Sequence, residues 1–211
     1  MIDKLQYITH DHSTKSHVDL VREACEAGVG WIQLRMKNAT DKEIMDTGRK
    51  VRAICDKYQA IFILNDKVHL VDPLEADGVH VGLNDMSVEK ARDIIGNKII
   101  GGTASKLADI DLHVSHGADY VGVGPYSFTE TKENLSPILG LEGYQDLINE
   151  LGVLGVDIPI VAIGGITLDD IPDLFMTGID SIAVSGLLIK AFENPGETSS
   201  ILELINQLKI V

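Results

Sequence analysis

The chain has 211 residues, enough for one well-packed domain. Eighteen Lys and Arg against 32 Asp and Glu give a net charge of −14, which argues against a protein whose main affinity comes from neutralising nucleic-acid or membrane phosphates. Any anionic ligand must be held by a local site, and with 45% hydrophobic and 24% charged residues the composition is that of a folded chain with a sizeable core.

Short apolar runs rich in β-branched residues alternate with segments of three- to four-residue apolar spacing. LQYIT from Leu5 predicts a first strand, and VDLVREACEAG from Val18 a helix stopped by Gly28. GWIQLRM from Gly30 predicts the second strand, and DKEIMDTGRKVRAICDKY from Asp41 a helix capped by Thr40 or Asp41. AIFILN from Ala60 and DGVHV from Asp77 are strands three and four. SVEKARDIIG predicts a helix begun at Ser87, with Glu89 near its start, and ended at Gly96. KIIGGT from Lys98, ADYVGVG from Ala118, IPIVAIGG from Ile158 and DSIAVS from Asp180 supply four more strands. The polar stretch from Tyr126 to Gly140 is long enough to be a functional lid, and residues 193–197 separate two short terminal helices.

The strands are continuous Val/Ile/Leu runs rather than alternating ones, as burial on both faces of a parallel sheet demands. Eight β/α units therefore predict the α/β class, a single (β/α)8 TIM barrel spanning residues 1–211 as one catalytic domain. Cys25 and Cys55 sit in helical patterns without Cys-x-x-Cys or zinc-type spacing, so they read as buried thiols of a reducing compartment. No signal-like opening and no apolar run of membrane-spanning length is present, so a cytoplasmic location is expected, with no nucleic-acid or membrane partner.

In such a barrel the active site lies at the C-terminal ends of the strands, and the residues there are polar. Gln33, Arg35 and Lys37 alternate, so period two puts them on one strand face, where two cations suit a phosphate or pyrophosphate better than a solvated strand end. Asn65 and Asp66 close the third strand. Asp66 with Asp85 could hold Mg2+, which takes carboxylates together with phosphate and water oxygens, although Asp85 alone could equally cap the helix near Ser87. Thr103 and Ser105 follow the fifth strand. GPYSFTETK places backbone amides, the hydroxyls of Thr129 and Thr131 and the ammonium of Lys132 on one loop. IGGI at 163–166 and VSG at 184–186 fit the phosphate site that the last two loops of this fold often form, with Gly165 letting the backbone approach closely. His80 reads equally as a structural residue or a substrate contact. His10, His12, His17, His69, His113 and His116 show no metal spacing and read as surface or packing residues, while Trp31 and Met36 read as packing between barrel and helices.

QLRMK, ND, ADGVHVGLND, GADYVGVGPYSFTETK, IPIVAIGGIT and the late VSG, in this order over nearly the whole chain, closely resemble the thiamine phosphate synthase (thiamine-phosphate pyrophosphorylase) family. The resemblance implies a Mg2+-assisted transferase that joins hydroxymethylpyrimidine pyrophosphate to hydroxyethylthiazole phosphate through a dissociative pyrimidine-cation mechanism. It implies that Gln33 contacts the pyrimidine, that Arg35, Lys37, Asn65 and Lys132 hold the pyrophosphate, and that Asp66 and Asp85 bind the magnesium. Thr129 and Thr131 would line the thiazole side, and Gly165, Val184 and Ser185 would hold the thiazole phosphate. Arg35, Lys37 and Lys132 are then the catalytic charges, with His80 and Thr103 as further candidate substrate contacts. The partners would be these two small molecules, in a monomer or a homo-oligomer.

Two departures from the family pattern stand out. GGTASK puts Thr103 where family members commonly carry serine, with Lys106 nearby, and YITH replaces the usual YxIT-Asp opening, which leaves the role of His10 open. A thiazole tautomerase-like paralogue and a non-catalytic phosphate-binding barrel are the competing readings. Lys132, together with the lack of a histidine directly after the fifth strand, speaks against the first. The joint presence of Asp66, Asp85, Arg35 and Lys132 speaks against the second.

Overall fold

The computed structural model describes residues 3–129, 136–194 and 196–207. Eight parallel strands close into a barrel in sequence order: β1 (Leu5–Ile8), β2 (Trp31–Leu34), β3 (Ile61–Asn65), β4 (Gly78–Val81), β5 (Ile99–Ala104), β6 (Tyr120–Val123), β7 (Ile160–Ile163) and β8 (Ser181–Val184), with β8 pairing back onto β1. Around it run α1 (His17–Glu26), α2 (Asp41–Tyr58), α3 (Val88–Ile95), α4 (Leu107–Ser115), α5 (Gly140–Leu154), α6 (Ile171–Met176), α7 (Gly186–Phe192) and α8 (Glu197–Gln207). All eight expected strands form where the β-branched runs lie, so the predicted (β/α)8 architecture holds.

Helix starts follow from capping chemistry. Ser16 and Thr40 each accept a hydrogen bond from the third helical amide, while the Asp19 and Glu43 carboxylates accept one from the cap backbone N–H, giving capping boxes at α1 and α2. The second helix is therefore capped by Thr40 rather than Asp41. Ser87 caps α3, accepting from the Lys90 amide, which leaves Asp85 without a capping role there. The two expected terminal helices form as α7 and α8, with Glu197, expected in the segment between them, as the first residue of α8.

The outward side chains of the strands, such as Ile32, Leu34, Phe62, Leu64, Val79 and Val81, join the helices in one core. A second, smaller cluster of Ile8, Trp31, Ile63, Tyr120, Val161 and Ala183 fills the barrel interior. Trp31 therefore packs inside the barrel, its ring edge-on to Tyr120 at 4.9 Å, not between barrel and helices. Period-two alternation decides this, because Trp31 shares its strand face with Gln33 while Ile32 and Leu34 point outward. Met36 does pack against the outer core, and Cys25 and Cys55 are buried free thiols within it.

The base of the barrel is tied by a repeated device. Asp77, Asp119 and Asp180, each just before or near the start of β4, β6 and β8, accept the backbone N–H of Phe62, Ile100 and Ile160 at 2.7, 2.7 and 2.8 Å. Arg52 from α2 and Arg92 from α3 pair with the first two of these carboxylates at 2.8 and 2.7 Å. These links sit at the N-terminal ends of the strands and leave the opposite mouth to chemistry.

Candidate active site

Inward positions at the C-terminal ends of the strands bring Gln33, Asn65, His80 and Thr103 to neighbouring staves, since Gln33 is in register with Ile63 and Asn65 with His80. Gln33 is 2% exposed and donates from Nε2 to Asn65 Oδ1 at 2.7 Å. Among the described residues its Oε1 is buried with no donor. An orphaned buried acceptor is costly unless a ligand fills it.

Strand β2 ends at Leu34, so the expected single face of Gln33, Arg35 and Lys37 extends only to Arg35. The Arg35 amide is held by Thr9 Oγ1 at 3.0 Å, after which the chain turns and Lys37 lies exposed in that turn. The cause is local: Ala39 N–H bonds back to Met36 oxygen, which curls the chain toward the Thr40 cap of α2.

Asp66 and Asp85 meet across the loops after β3 and β4. Asp66 takes a left-handed backbone conformation, φ +62°, and its amide donates to the His80 carbonyl at 2.9 Å. This swings its carboxylate beside that of Asp85. Burial, and then the neighbouring Asp85 carboxylate, push Asp66 up to about 6, against the opposing pull of Arg35 and the Gly82 amide. Gly82 N–H donates to Asp85 Oδ2 at 3.0 Å, and a Cβ on Gly82 would stand 2.5 Å from that oxygen. Gly82, the glycine of VGLND, is thus a further site residue, absent from the candidates that the sequence supplies.

Thr103 is held from both sides of β5. Inside the barrel His80 Nε2 lies 2.9 Å from Thr103 Oγ1, and on the helix side His113 Nε2 donates to the Thr103 carbonyl at 2.8 Å. His113 is 6% exposed and, like His10, makes a specific tertiary contact, although the sequence reads it as a surface or packing group. Both ring nitrogens of His80 are engaged by hydroxyls, Nδ1 by Tyr120 Oη at 3.1 Å and Nε2 by Thr103 Oγ1.

On the far side of the mouth, the loop after β6 is laced to the loop after β7: Tyr126 and Ser127 amides donate to Ile163 and Gly164 carbonyls at 2.9 Å each. Gly165 has φ +70°, and a Cβ there would lie 2.5 Å from the Phe128 carbonyl oxygen. The glycine is needed for loop packing as well as for access to its amide. Thr129 is half-buried and bonded, whereas Thr131 and Lys132, with the middle of the expected lid, lie outside the described residues. Val184 points its side chain into the outer core, leaving only its backbone for the site. Ser185 Oγ donates to the Ile8 carbonyl at 2.5 Å and contacts His10 Nδ1 at 2.5 Å, so β8 and the loop after β1 are joined at the mouth.

A family model described as thiamine monophosphate synthase matches residues 5–188. The chain belongs to the thiamine monophosphate synthase family. Its membership makes it a transferase of thiamine biosynthesis. A thiamine-phosphate synthase of Phocaeicola vulgatus is 47% identical over 202 residues, covering 95% of this chain and 97% of that one. One from Pyrococcus furiosus is 35% identical over 202 residues, covering 96% and 95%. The solved thiamine phosphate pyrophosphorylase from Pyrococcus furiosus superposes with a TM-score of 0.85 at 35% identity, covering 97% of this chain and 96% of that one. No helix among the described residues of this family member is long and apolar enough to cross a membrane.

Proposed function

We propose that the mouth of this barrel joins the methylene carbon of hydroxymethylpyrimidine pyrophosphate to the nitrogen of hydroxyethylthiazole phosphate, with Mg2+ held by Asp66 and Asp85. The observation that carries the metal assignment is the pair itself: two carboxylates from adjacent loops, one of them raised to about 6, beside Arg35. Facing carboxylates repel unless a proton or cation lies between them. Among the described residues no cluster of three or more His, Cys, Asp or Glu could hold a metal, which suits an ion that takes few protein ligands and completes its shell with phosphate and water oxygens. When bound, the ion supplies charge neutralisation to the departing pyrophosphate.

The chain's own groups divide the remaining work. Arg35 and Lys37 present positive charge to the pyrophosphate, and Lys132 is assigned the same task from the loop after β6. Asn65 holds the amide end of Gln33, which leaves the unpaired Gln33 Oε1 to accept from the exocyclic amine of the pyrimidine. Thr103 contacts the same substrate by its hydroxyl. Amides of Gly165, Val184 and Ser185 hold the thiazole phosphate and Thr129 and Thr131 line the thiazole side, so that the ring nitrogen reaches the pyrimidine cation by positioning and no protein nucleophile is required. With Cys25 and Cys55 both free, the reaction is assigned to the cytoplasm, on small-molecule partners.

The test is incubation of the pure protein with both substrates and Mg2+, with and without EDTA, followed by detection of thiamine phosphate and pyrophosphate. Metal-dependent appearance of both products is the expected result. Product formation unaffected by EDTA removes the metal assignment, and no product from folded protein removes the reaction.

A further inference from the structure

The barrel interior contains a row of polar side chains that ends at Thr103 and whose other members the proposed reaction does not use directly. Gln6 on β1 is 1% exposed and donates from Nε2 to Tyr120 Oη at 3.3 Å. Tyr120 on β6 is fully buried, and its hydroxyl lies 3.1 Å from His80 Nδ1. His80 Nε2 in turn lies 2.9 Å from Thr103 Oγ1. The row climbs from the barrel floor to the mouth across four strands.

Two glycines make room for it. A Cβ on Gly101 would stand 2.1 Å from Tyr120 Cζ, and one on Gly122 would stand 3.0 Å from His80 Cε1. A side chain at Gly101 would push the phenol out of the row, and one at Gly122 would crowd the imidazole. Burial pushes the Tyr120 hydroxyl well above its ordinary range, so it stays protonated and must place its hydrogen somewhere. The donor properties of each group then set one direction. The Gln6 Nε2 can only donate, so Tyr120 oxygen accepts there and gives its proton to His80 Nδ1. A neutral imidazole that accepts at Nδ1 carries its hydrogen on Nε2, and donates it to Thr103 Oγ1. Among the described residues His80 is the only partner of Thr103 Oγ1, so the threonine hydrogen is left for a ligand in the mouth.

We infer that Gln6, Tyr120 and His80 are positioning residues that fix Thr103 as a hydrogen-bond donor, and so select an acceptor atom on the pyrimidine substrate. Reversing the row would turn Thr103 into an acceptor and present a lone pair instead. The inference rests on the proposed reaction only for the identity of the ligand; the direction of the row is a property of the empty protein.

The first measurement is therefore made without substrate. Long-range 1H–15N correlation spectra of the 15N-labelled protein, with the His80 signals assigned from a His80→Gln variant, report which ring nitrogen carries the hydrogen. Hydrogen on Nε2 in the wild type, with loss of that single tautomer in Tyr120→Phe, is expected. Hydrogen on Nδ1 in the wild type overturns the inference whatever the activity. The second measurement is kinetic. Tyr120→Phe raises KM for the pyrimidine pyrophosphate about fivefold, the fold-change that belongs to one neutral hydrogen bond, and leaves KM for the thiazole phosphate unchanged. Thr103→Val has the same effect, Thr103→Ser restores the wild-type value, and Tyr120→Phe adds nothing in the Thr103→Val background. Equal costs of Tyr120→Phe in both backgrounds would mean that Tyr120 acts through packing, and would sink the inference. A wild type that shows the Nε2 hydrogen but makes no thiamine phosphate removes the proposed reaction and leaves the row's direction standing.

Discussion

His113 Nε2 donates to the carbonyl oxygen of Thr103 from the helix side of β5, opposite the side on which His80 touches the Thr103 hydroxyl. Gly102 permits this, since a Cβ there would stand 2.7 Å from the His113 ring. Replacing His113 by Ala leaves a buried carbonyl unpaired and opens a cavity, at a cost of about 2 kcal/mol. The expected outcome is a lower denaturant midpoint at unchanged slope, with weaker apparent affinity for the pyrimidine pyrophosphate. His113→Ala with wild-type unfolding would show that α4 does not anchor this strand.

The Asp66 carboxyl gives a signed dependence on pH. Its folded value, about 6, lies above the ordinary 3.8, so the folded state binds the proton more tightly. Below about pH 4 both states are protonated and the group contributes nothing. As pH rises to about 6 the unfolded chain releases its proton first, and stability falls; above 6 the loss is complete. Asp66→Asn keeps a residue that tolerates the left-handed backbone and removes the charge. In metal-free buffer the variant is expected to gain on the order of 1 kcal/mol over the wild type at pH 7.5, after allowance for partial exposure, and nothing at pH 4. Mg2+ should raise the melting temperature of the wild type and leave the variant unmoved. Equal melting curves at pH 7.5 would remove the raised carboxyl.

Much of the barrel was legible in the sequence because the signals were short-range. Continuous apolar runs marked each strand, and Thr40 and Ser87 marked helix starts by chemistry that spans three residues. What escaped depends on contacts across the barrel. Nothing local tells that Gln6 in LQYIT meets Tyr120 or that His113 reaches back to Thr103, since 114 residues separate the first pair and the second link crosses from helix to strand. Lys37 leaves the strand face it shares by a period of two, because that period assumes the strand continues and a turn bond to Met36 ends it. Trp31 suits either core by its chemistry alone, and the strand face it shares with Gln33 is what places it inside the barrel.

Gly165 joins two demands in one residue, a positive φ and a backbone carbonyl of the β6 loop close against its α-carbon. Gly165→Ala cannot satisfy both, so the Ser127–Phe128 segment must shift away. The expected result is a protein that folds, at a cost of about 1–3 kcal/mol for the strained backbone, with KM for thiazole phosphate raised at least tenfold. Unchanged kinetics with that substrate would place its phosphate elsewhere.

Ser185 gives the opposite expectation, because its hydroxyl is already committed. The proton goes to the Ile8 carbonyl, so the contact with His10 must run from His10 Nδ1–H to Ser185 oxygen. Burial, then His12, His17 and Arg35, hold His10 below its ordinary range, which keeps the ring neutral and its single hydrogen on that contact. Ser185→Ala therefore unties β8 from the loop after β1 without removing the backbone amides that face a phosphate. Stability should fall by about 1 kcal/mol, and KM for thiazole phosphate should rise no more than two- to threefold, well short of the Gly165→Ala effect. Measuring both variants side by side separates the two modes of holding a phosphate. A larger rise for Ser185→Ala than for Gly165→Ala would mean that the serine hydroxyl turns to the ligand when it binds.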